Sequence, residues 1–288
     1  MKYIFMHNHR CEFRVKKMAG VLKCSRSGYY GWVRSGVHHK RQAAREALLT
    51  QILTVFMMSR KTYGARRISK ELRHKGKSVG RRRVADLMQE NNILPKTVRK
   101  FKATTNSNHD YPVSPNLLNR EFQVDAPNKV WVSDITYVWT AEGWLYLAAI
   151  KDLFSGKIVG WAMKERMTQQ LVSEALHQAV QRNRPPRGVI LHSDRGVQYA
   201  AKRYRNVIKS YGFKQSMSRK GDCWDNAPME SFFGTLKTEL VYHEHYKTRD
   251  QARASIFDYV EAFYNRIRLQ KRLGYLSPEN YEKQSFVA

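Results

Sequence analysis

Cysteine is scarce in this chain, and the few cysteines lie far apart. Three are present in 288 residues, Cys11, Cys24 and Cys223, and none forms a Cys-x-x-Cys pair. This spacing excludes a disulfide framework, argues against a structural zinc site and suits a reducing compartment. Long hydrophobic runs are absent as well. No apolar stretch approaches the length of a membrane span, and residues 1–25 carry charges throughout, so we expect neither a signal peptide nor a membrane anchor.

Acidic residues are also few. The chain holds 24 Asp and Glu against 52 Lys and Arg, a formal net charge of +28 at pH 7. Such an excess attracts a polyanion, which makes nucleic acid the expected partner. The excess is concentrated in residues 1–110, which hold 26 basic and 6 acidic side chains, while residues 111–288 hold 26 and 18. A basic ribosomal or chromatin-like protein would share this charge, but six Trp, 16 Tyr and 12 Phe exceed what a solvated basic tail carries.

The basic N-terminal region, residues 1–99, has the apolar periodicity of helices. Short helices are predicted over 65–74 and 80–91, because apolar residues recur there at three- and four-residue steps. Gly76 lies between them, and this arrangement is typical of a helix-turn-helix, here over about residues 60–92. Arginines at or near the two helix starts are the candidate DNA-binding residues, namely Arg66, Arg67, Arg81, Arg82 and Arg83. A solvated helical hairpin with a basic face is the alternative interpretation.

The remainder of the chain predicts an α/β fold. Residues 100–128 are rich in Asn, Ser and Pro with little periodicity, and are expected to form a linker. The predicted elements that follow are strands over 130–139, 144–152 and 157–163, a helix over 168–182, a strand over 188–192, a helix over 199–211 and a strand over 214–217. This order favours a ribonuclease-H-like mixed sheet over 129–245, although order alone leaves other α/β layouts open. Residues 246–288 are expected to add a C-terminal helix and tail.

Three acidic residues of this predicted core are the candidate catalytic and metal-binding residues. Asp134 falls in the middle of the first predicted strand, where a buried carboxylate without a cation is costly. Asp194 follows the fourth strand, at the edge where open α/β sheets place their ligands, and 35 residues separate it from Glu230. Glu230 lies in a helix expected to begin near Asn226, since Pro228 is tolerated only in the first turn. Carboxylates that converge at a sheet edge can hold two Mg²⁺ ions beside a phosphodiester.

Each acidic residue also has an ordinary interpretation when it is taken singly. An aspartate in Ser-Asp-Arg-Gly is often a turn residue, and a first-turn glutamate is favoured by the helix dipole. Lys237 lies seven residues after Glu230, on the same side of the predicted helix. His192 is expected to be a packing residue at a strand end. The His243-Glu244-His245 run has no third partner at zinc spacing and is expected to be a surface segment.

Five blocks of sequence follow one another within residues 12–284. They are WVSDITYV, EGWLYLAAIKDLFSGKIVGW, HSDRGVQY, KGDCWDNAPMESFFGTLK and YNRIRLQKRLGYLSP. In kind and order they resemble the DDE retroviral-integrase superfamily, and more narrowly the second-frame, catalytic transposase of bacterial insertion sequences with two overlapping reading frames. The segment before them resembles the helix-turn-helix region of these transposases. One departure is visible, since the family commonly has histidine where this chain has Gln270.

The resemblance implies a DNA transposase that cleaves insertion-sequence ends and carries out strand transfer with two Mg²⁺ ions, or Mn²⁺ in their place. It implies that Asp134, Asp194 and Glu230 hold the ions and that Lys237 contacts DNA near the cleaved phosphate. The implied partners are double-stranded DNA, as terminal inverted repeats and target, further copies of this chain in a homo-oligomer on DNA, and the product of the upstream reading frame, joined by frameshifting. The expected location is the bacterial cytoplasm, in association with the nucleoid.

Two other functions share parts of this pattern. A ribonuclease-H-type nuclease would have the fold and the metals, but it would not need a basic helix-turn-helix region of this size. A catalytically inactive DNA-binding protein derived from a transposase is the alternative from a different class, and the carboxylates at all three positions argue against it. Without the upstream product, we expect tight binding to DNA at low salt with little preference for the element ends.

Overall fold

The computed structural model describes residues 1–34, 37–96, 114–219 and 223–286. The chain forms two compact units, Met1–Leu94 and Pro95–Ala288. Part of the linker predicted over 100–128 lies outside the described residues, namely 100–113. No helix within the described ranges is both long enough and apolar enough to cross a membrane.

The described part of the first unit is helical. Its helices are α1 (Lys2–Asn8), α2 (Val15–Val21), α3 (Arg26–Arg34), α4 (Val37–Met58), α5 (Ala65–His74) and α6 (Arg81–Glu90). Helices α1, α2 and α3 share a small core, which consists of Met6, Met18, Ala19 and Tyr29. Helices α5 and α6 pack on α4, and the buried residues of α5 include Ile68 and Leu72, at the spacing that predicted this helix.

Glycines mark the limits of the predicted helix-turn-helix. Gly64 and Gly80 are the N-cap residues of α5 and α6, and neither supplies a capping side chain. Between the helices, Gly76 has a φ of +76°, in the left-handed region that a Cβ disfavours. The two helices and the turn lie where the sequence predicts them.

The second unit contains a mixed sheet of five strands with helices packed on it. The strands are β1 (Val130–Thr140), β2 (Gly143–Asp152), β3 (Ile158–Lys164), β4 (Ile190–Ser193) and β5 (Lys214–Met217), in the spatial order β3-β2-β1-β4-β5. β1 is antiparallel to β2 and parallel to β4. The helices are α7 (Gln169–Asn183), α8 (Val197–Ala200), α9 (Lys202–Ser210), α10 (Ala227–Glu239), α11 (Arg249–Asp258) and α12 (Pro278–Ser285). The predicted ribonuclease-H-like fold class is confirmed.

A large core lies between the sheet and helices α7, α8 and α9. Trp131 of β1, Leu176 of α7 and Tyr204 of α9 are among its buried members. On β3, Gly160 permits a close approach of α7, because a Cβ at this position would lie 2.4 Å from the carbonyl oxygen of Ala175. The glycine is therefore required by packing rather than by its own backbone conformation.

Two boundaries in this unit differ from the predicted ones. The single helix predicted over 199–211 is two helices, because Ala201 between them adopts a ψ of 135° and interrupts the helical path. The fourth strand begins at Ile190 rather than at Gly188, because Gly188 has a φ of +91°, which is incompatible with a strand.

Residues 246–288 contain more than the predicted single helix and tail. α11 continues into a π-helical segment, Tyr259–Tyr264, and a further helix, α12, follows. The Ser277 hydroxyl caps α12 by accepting a hydrogen bond from the backbone N–H of Asn280. Ser-Pro before a polar run is a helix-start pattern, and the prediction overlooked it.

Candidate active site

Two of the predicted catalytic carboxylates occupy equivalent positions on neighbouring segments, just past the carboxyl end of β4. β1 and β4 are parallel neighbours, and their register pairs Ser133 with Ser193. Asp134 and Asp194 are the next residues of the two segments, so both follow the last paired position at the carboxyl end of β4. The expected adjacency of the first and fourth strands is thus observed, and it brings together two aspartates that are far apart in sequence.

Backbone amides orient both carboxylates. The N–H of Ile135 donates to Asp134 Oδ1 at 2.7 Å, and the N–H of Gly196 donates to Asp194 Oδ1 at 2.9 Å. Hydrogen bonds to an ionised acceptor are strong, so each one restrains the direction in which its carboxylate points.

α10 brings Glu230 to this end of the sheet, with a proline in its first turn as predicted. Two hydrogen bonds fasten the start of α10 to the central strands. The side-chain amide of Asn226 donates to the carbonyl of Ser133 at 3.1 Å, and Lys151 Nζ donates to the carbonyl of Pro228 at 3.1 Å. The position of the third carboxylate therefore depends on both β1 and β2.

The pKa of Asp134 responds to both of the other carboxylates. Burial raises this pKa well above its ordinary value, and the negative charge of Asp194 raises it further. Glu230 adds to the rise, whereas the N–H of Ile135 and the ammonium of Lys237 lower the pKa. Negative charge gathered in this way at a partly desolvated position favours a bound cation.

Lys237 is half-buried on α10. Its Nζ lies 5.0 Å from the centroid of the Tyr137 ring on β1, within the range of a cation–π contact. Burial lowers the pKa of Lys237, and the charge of Asp134 opposes that effect. Lys237 therefore interacts both with Asp134 and with an aromatic side chain farther along β1.

The donor set suits a hard divalent cation. Carboxylate oxygens from different elements are ligands that Mg²⁺ prefers, and a cation would offset the cost of keeping Asp134 charged. In the part of the chain that the structure describes, no three His, Cys, Asp or Glu side chains form a cluster that could hold one ion. The carboxylates thus fit such an ion in chemistry and location, without forming a common coordination sphere.

The sequence analysis missed a supporting carboxylate beside the site. Asp225 is fully buried and accepts hydrogen bonds of 2.9 Å from the side chains of Asn116, Arg120 and Arg219. The bond from Arg219 holds the pKa of Asp225 well below its usual range. This network joins the segment before β1 to the turn that precedes α10. The Asp-Asn pair directly before the start of α10 was the available signal.

His192 is a buried residue at the end of β4, as the sequence analysis expects. Its ring nitrogens lie 2.8 Å from Ser216 Oγ and 3.2 Å from Ser218 Oγ. Burial lowers the pKa of His192 to about 4, so the ring is neutral at pH 7. Its contacts are with the adjacent strand and the residue that follows it.

Three other polar residues singled out in the sequence are two exposed histidines and one buried glutamine. His243 and His245 are exposed. Gln270, where the family commonly has histidine, is buried, and its backbone N–H donates to the carbonyl of Leu276 at 3.0 Å. The side chain at this position therefore packs within the protein.

The candidate DNA-binding arginines lie at the starts of α5 and α6. All are exposed except Arg67, which is half-buried with its guanidinium carbon 5.5 Å from the centroid of the Tyr63 ring. Neither helix has an acidic residue in its first turn. Cations at a helix N-terminus oppose the helix dipole, so these positions do not stabilise the helices and suit an external anion instead.

Comparison with known proteins gives matches along the whole chain. Family models described as integrase core domain match residues 124–223 and 230–286, and one described as HTH-like domain matches residues 43–101. Transposase InsF for insertion sequence IS3A of Escherichia coli (strain K12) is 42% identical over 288 residues, which is 100% of both chains. The insertion element IS600 uncharacterized 31 kDa protein of Shigella sonnei is 51% identical over 267 residues, 93% of this chain and 98% of the relative.

Solved structures resemble part of the chain. The catalytic core domain of BIV integrase aligns with 56% of this chain and 97% of its own, with 20% identity and a TM-score of 0.42. The family assignment depends on the sequence relatives, which are far more similar.

The integrase core, with its carboxylates at the sheet edge, and the HTH-like domain define an enzyme that acts on DNA. The full-length relatives show that the chain belongs to the insertion-sequence transposases of the DDE integrase superfamily. The enzyme is a DNA transposase, and its integrase core belongs to a metal-dependent family. The predicted family, fold class and enzyme class are confirmed.

Proposed function

We propose that Asp134, Asp194 and Glu230 are the catalytic residues of this transposase and that they hold two Mg²⁺ ions, which Mn²⁺ can replace. The observation that carries the proposal is the register of β1 and β4, which places Asp134 and Asp194 together at the carboxyl end of β4, with Glu230 close enough to raise the pKa of Asp134. Divalent cations in such a site polarise the phosphate and lower the pKa of the attacking hydroxyl.

The proposed reaction consists of two phosphoryl transfers at one site. In the first, a water oxygen attacks phosphorus at the end of the insertion sequence, the P–O3′ bond breaks, and the 3′-oxygen leaves as a hydroxyl. In the second, that hydroxyl attacks a phosphodiester of another strand, a new P–O bond forms, and the 3′-oxygen of the attacked strand leaves. The second step conserves the number of phosphodiester bonds, so it requires no energy source and no covalent enzyme–DNA link.

We assign Lys237 to the reacting phosphate. Its ammonium interacts with Asp134, so a phosphate held beside the carboxylates by bound cations would lie within its reach. A single phosphate contact contributes little to the total affinity for DNA, but it can align phosphorus for in-line attack. Loss of Lys237 should therefore impair strand transfer more than binding.

The DNA partners are proposed to be the terminal inverted repeats and the target. Contacts with phosphates and base edges are assigned to the arginines at the starts of α5 and α6, namely Arg66, Arg67, Arg81, Arg82 and Arg83. A homo-oligomer on DNA and a fusion with the product of the upstream reading frame are part of the proposal, because the family resemblance implies both. The same resemblance supports a location in the bacterial cytoplasm, in association with the nucleoid.

Single substitutions of the carboxylates test the catalytic assignment. Asp134→Asn, Asp194→Asn and Glu230→Gln should each lower Mg²⁺-dependent cleavage and joining at least roughly 100-fold, because each removes a charge from the metal-binding set. Affinity for a terminal-repeat duplex should stay within about twofold. Gel assays of cleavage and of strand transfer, with binding measured in EDTA, give both quantities.

Asp250→Asn is the matched control, because Asp250 is an exposed carboxylate of α11 that pairs with Arg253 at 2.8 Å. It should cleave as the unmodified chain does. A carboxylate variant that joins DNA at the unmodified rate would remove that residue from the active site. Mn²⁺ titration by calorimetry counts the ions, and a single site would overturn the two-ion proposal.

A further inference from the structure

Three aromatic side chains form an exposed cluster where β1 and β2 meet in a hairpin. Tyr137, Trp139 and Trp144, here called the aromatic platform, are 50%, 60% and 43% exposed. Trp144 packs edge-to-face on both of the others, with ring centroids 4.9 Å from Tyr137 and 4.7 Å from Trp139. Such packing holds the rings in fixed relative positions. The platform is therefore a rigid apolar surface, of the kind that marks an interaction site.

The aromatic platform shares strand β1 with Asp134 of the proposed active site. Tyr137 and Trp139 follow Asp134 on β1 by three and five residues, or about 10 and 17 Å along a strand. Because side chains alternate along a strand, these odd steps place both rings on the face of β1 opposite that of Asp134. These lengths correspond to roughly three to five nucleotide steps at the 3.4 Å rise of duplex DNA. Lys237 connects the two places, because its Nζ lies over the Tyr137 ring while it interacts with Asp134.

Charged side chains of both signs lie near the aromatic platform. Glu142 and Glu165 are acidic side chains that contact Arg249 at this end of the sheet. The backbone N–H of Arg249 donates to Glu142 at 2.8 Å, and its guanidinium lies 3.6 Å from Glu165. Lys237 adds a cation at the Tyr137 ring itself. A ligand with flat apolar faces and a negative backbone fits these features, and a nucleic-acid strand has both.

On the basis of the proposed function, we propose that the aromatic platform stacks on an unpaired base of the substrate DNA, a few nucleotides from the reacting phosphate. Every base has a π face, so stacking on aromatic side chains holds a strand without regard to its sequence. A base within a duplex is covered on both faces by its neighbours. The ligand is therefore a base that is splayed from the duplex or lies in a single-stranded extension.

The test uses terminal-repeat DNA with a short single-stranded extension that contains 2-aminopurine three to five nucleotides from the scissile phosphate. Fluorescence of this base is quenched when it stacks. In EDTA, where the DNA stays uncut, binding of the full chain should quench it. Trp139→Ala should abolish the quenching and weaken binding of the extended DNA roughly 5- to 100-fold, with less than about twofold change for the fully paired duplex. Trp139→Phe, which keeps a ring, should retain both properties.

Phe257→Leu is the control, because Phe257 is an exposed aromatic residue of α11, 48% exposed, whose ring packs against Trp161 on the edge strand β3. It should leave quenching intact. Equal losses for paired and extended DNA would overturn the stacking proposal, as would unchanged quenching in Trp139→Ala. A shift from dimer to monomer on sedimentation, with quenching unchanged, would assign the platform to contacts between copies. If Trp139→Ala fails to fold, loss of quenching in the folded Trp139→Phe overturns the proposal equally well.

Failure of the catalytic assignment is measured separately. Quenching and affinity in EDTA do not depend on cleavage, whereas the carboxylate variants are judged by cleavage alone. The three carboxylates could prove dispensable for cleavage while the chain still quenches the base. The aromatic platform would then still be a stacking site, and the proposed active site would be wrong.

Discussion

Lys151 is a buried cation that supports the site from within the sheet. It lies on β2 and donates to the carbonyl of Pro228 at the start of α10. Burial lowers the pKa of Lys151 to about 7, and the positive charges of Arg272 and Arg268 lower it further. The unfolded chain, by contrast, would keep a lysine pKa near 10.5.

This difference in pKa predicts a pH-dependent stability. Below about pH 7 the lysine is charged in both states, and the folded chain bears the full cost of a buried charge. Between pH 7 and 10.5 the unfolded chain binds more protons, so the free energy of unfolding should rise with pH. Lys151→Met should remove this rise. Urea unfolding across the window measures it.

Lys271→Met, at an exposed position, is the control and should keep the pH slope of the unmodified chain. Identical slopes for Lys151→Met and the unmodified chain would show that Lys151 does not change protonation on unfolding in this range.

At the residue scale, the sequence indicated the candidate catalytic carboxylates but not the buried residues that fix the elements around them. Asp134, Asp194 and Glu230 stand in blocks whose resemblance to a family is local, and the structure brings their charges together. Their catalytic role stays a prediction. Lys151 reaches a residue 77 positions away, and Asp225 accepts from a residue 105 positions away. No local sequence pattern predicts contacts between such distant residues. The roles of Lys151 and Asp225 could therefore be recognised only in the structure.

At the scale of elements, the packing of α7 on β3 depends on the absence of one side chain. Gly160→Ala would place a Cβ 2.4 Å from the carbonyl oxygen of Ala175, and backbone must move to relieve the clash. We expect a loss of about 1–3 kcal/mol in the free energy of unfolding, measured by urea denaturation.

The matched control is Gly234→Ala in α10, where a Cβ would meet nothing within 4 Å. Alanine is the better helix former, so this change should stabilise the chain by about 0.5–1 kcal/mol. If Gly160→Ala proved as stable as the unmodified chain, the close approach of α7 to β3 would be contradicted.

The elements themselves were largely predictable because their patterns are local. The predicted helix over 65–74 and the strand over 214–217 have the bounds observed for α5 and β5. The break at Ala201 was not predictable from periodicity, since one residue with an extended ψ leaves the apolar spacing on either side almost unchanged. The order of the strands followed from the fold class, and the fold class followed from the order of the predicted elements together with the positions of the carboxylates.

At the scale of the whole molecule, the charge of the first unit predicts how DNA affinity responds to salt. Replacing Arg81, Arg82 and Arg83 with Ala should weaken DNA binding and lower the slope of log affinity against log salt by up to about 2.7, since each phosphate contact contributes roughly 0.9. Fluorescence anisotropy at a series of salt concentrations measures the slope.

A triple variant of α9 removes the same charge from the second unit. Lys202, Arg203 and Lys209 are exposed there, and their replacement with Ala should change the slope less. Equal changes would show that the slope reports total charge and that the arginines of α6 make no particular contact with DNA.

The first unit is synthesised before the second, because it lies nearer the N-terminus. The arginines proposed to hold DNA all precede Leu94, whereas the third carboxylate, Glu230, lies far beyond that limit in the second unit. A ribosome that releases the chain early, between these points, would produce a fragment with the helix-turn-helix and its buried residues but with an incomplete set of carboxylates. Such a fragment would bind DNA without cutting it. Abortive synthesis would therefore yield competitors for DNA binding, rather than stray nucleases that damage the host.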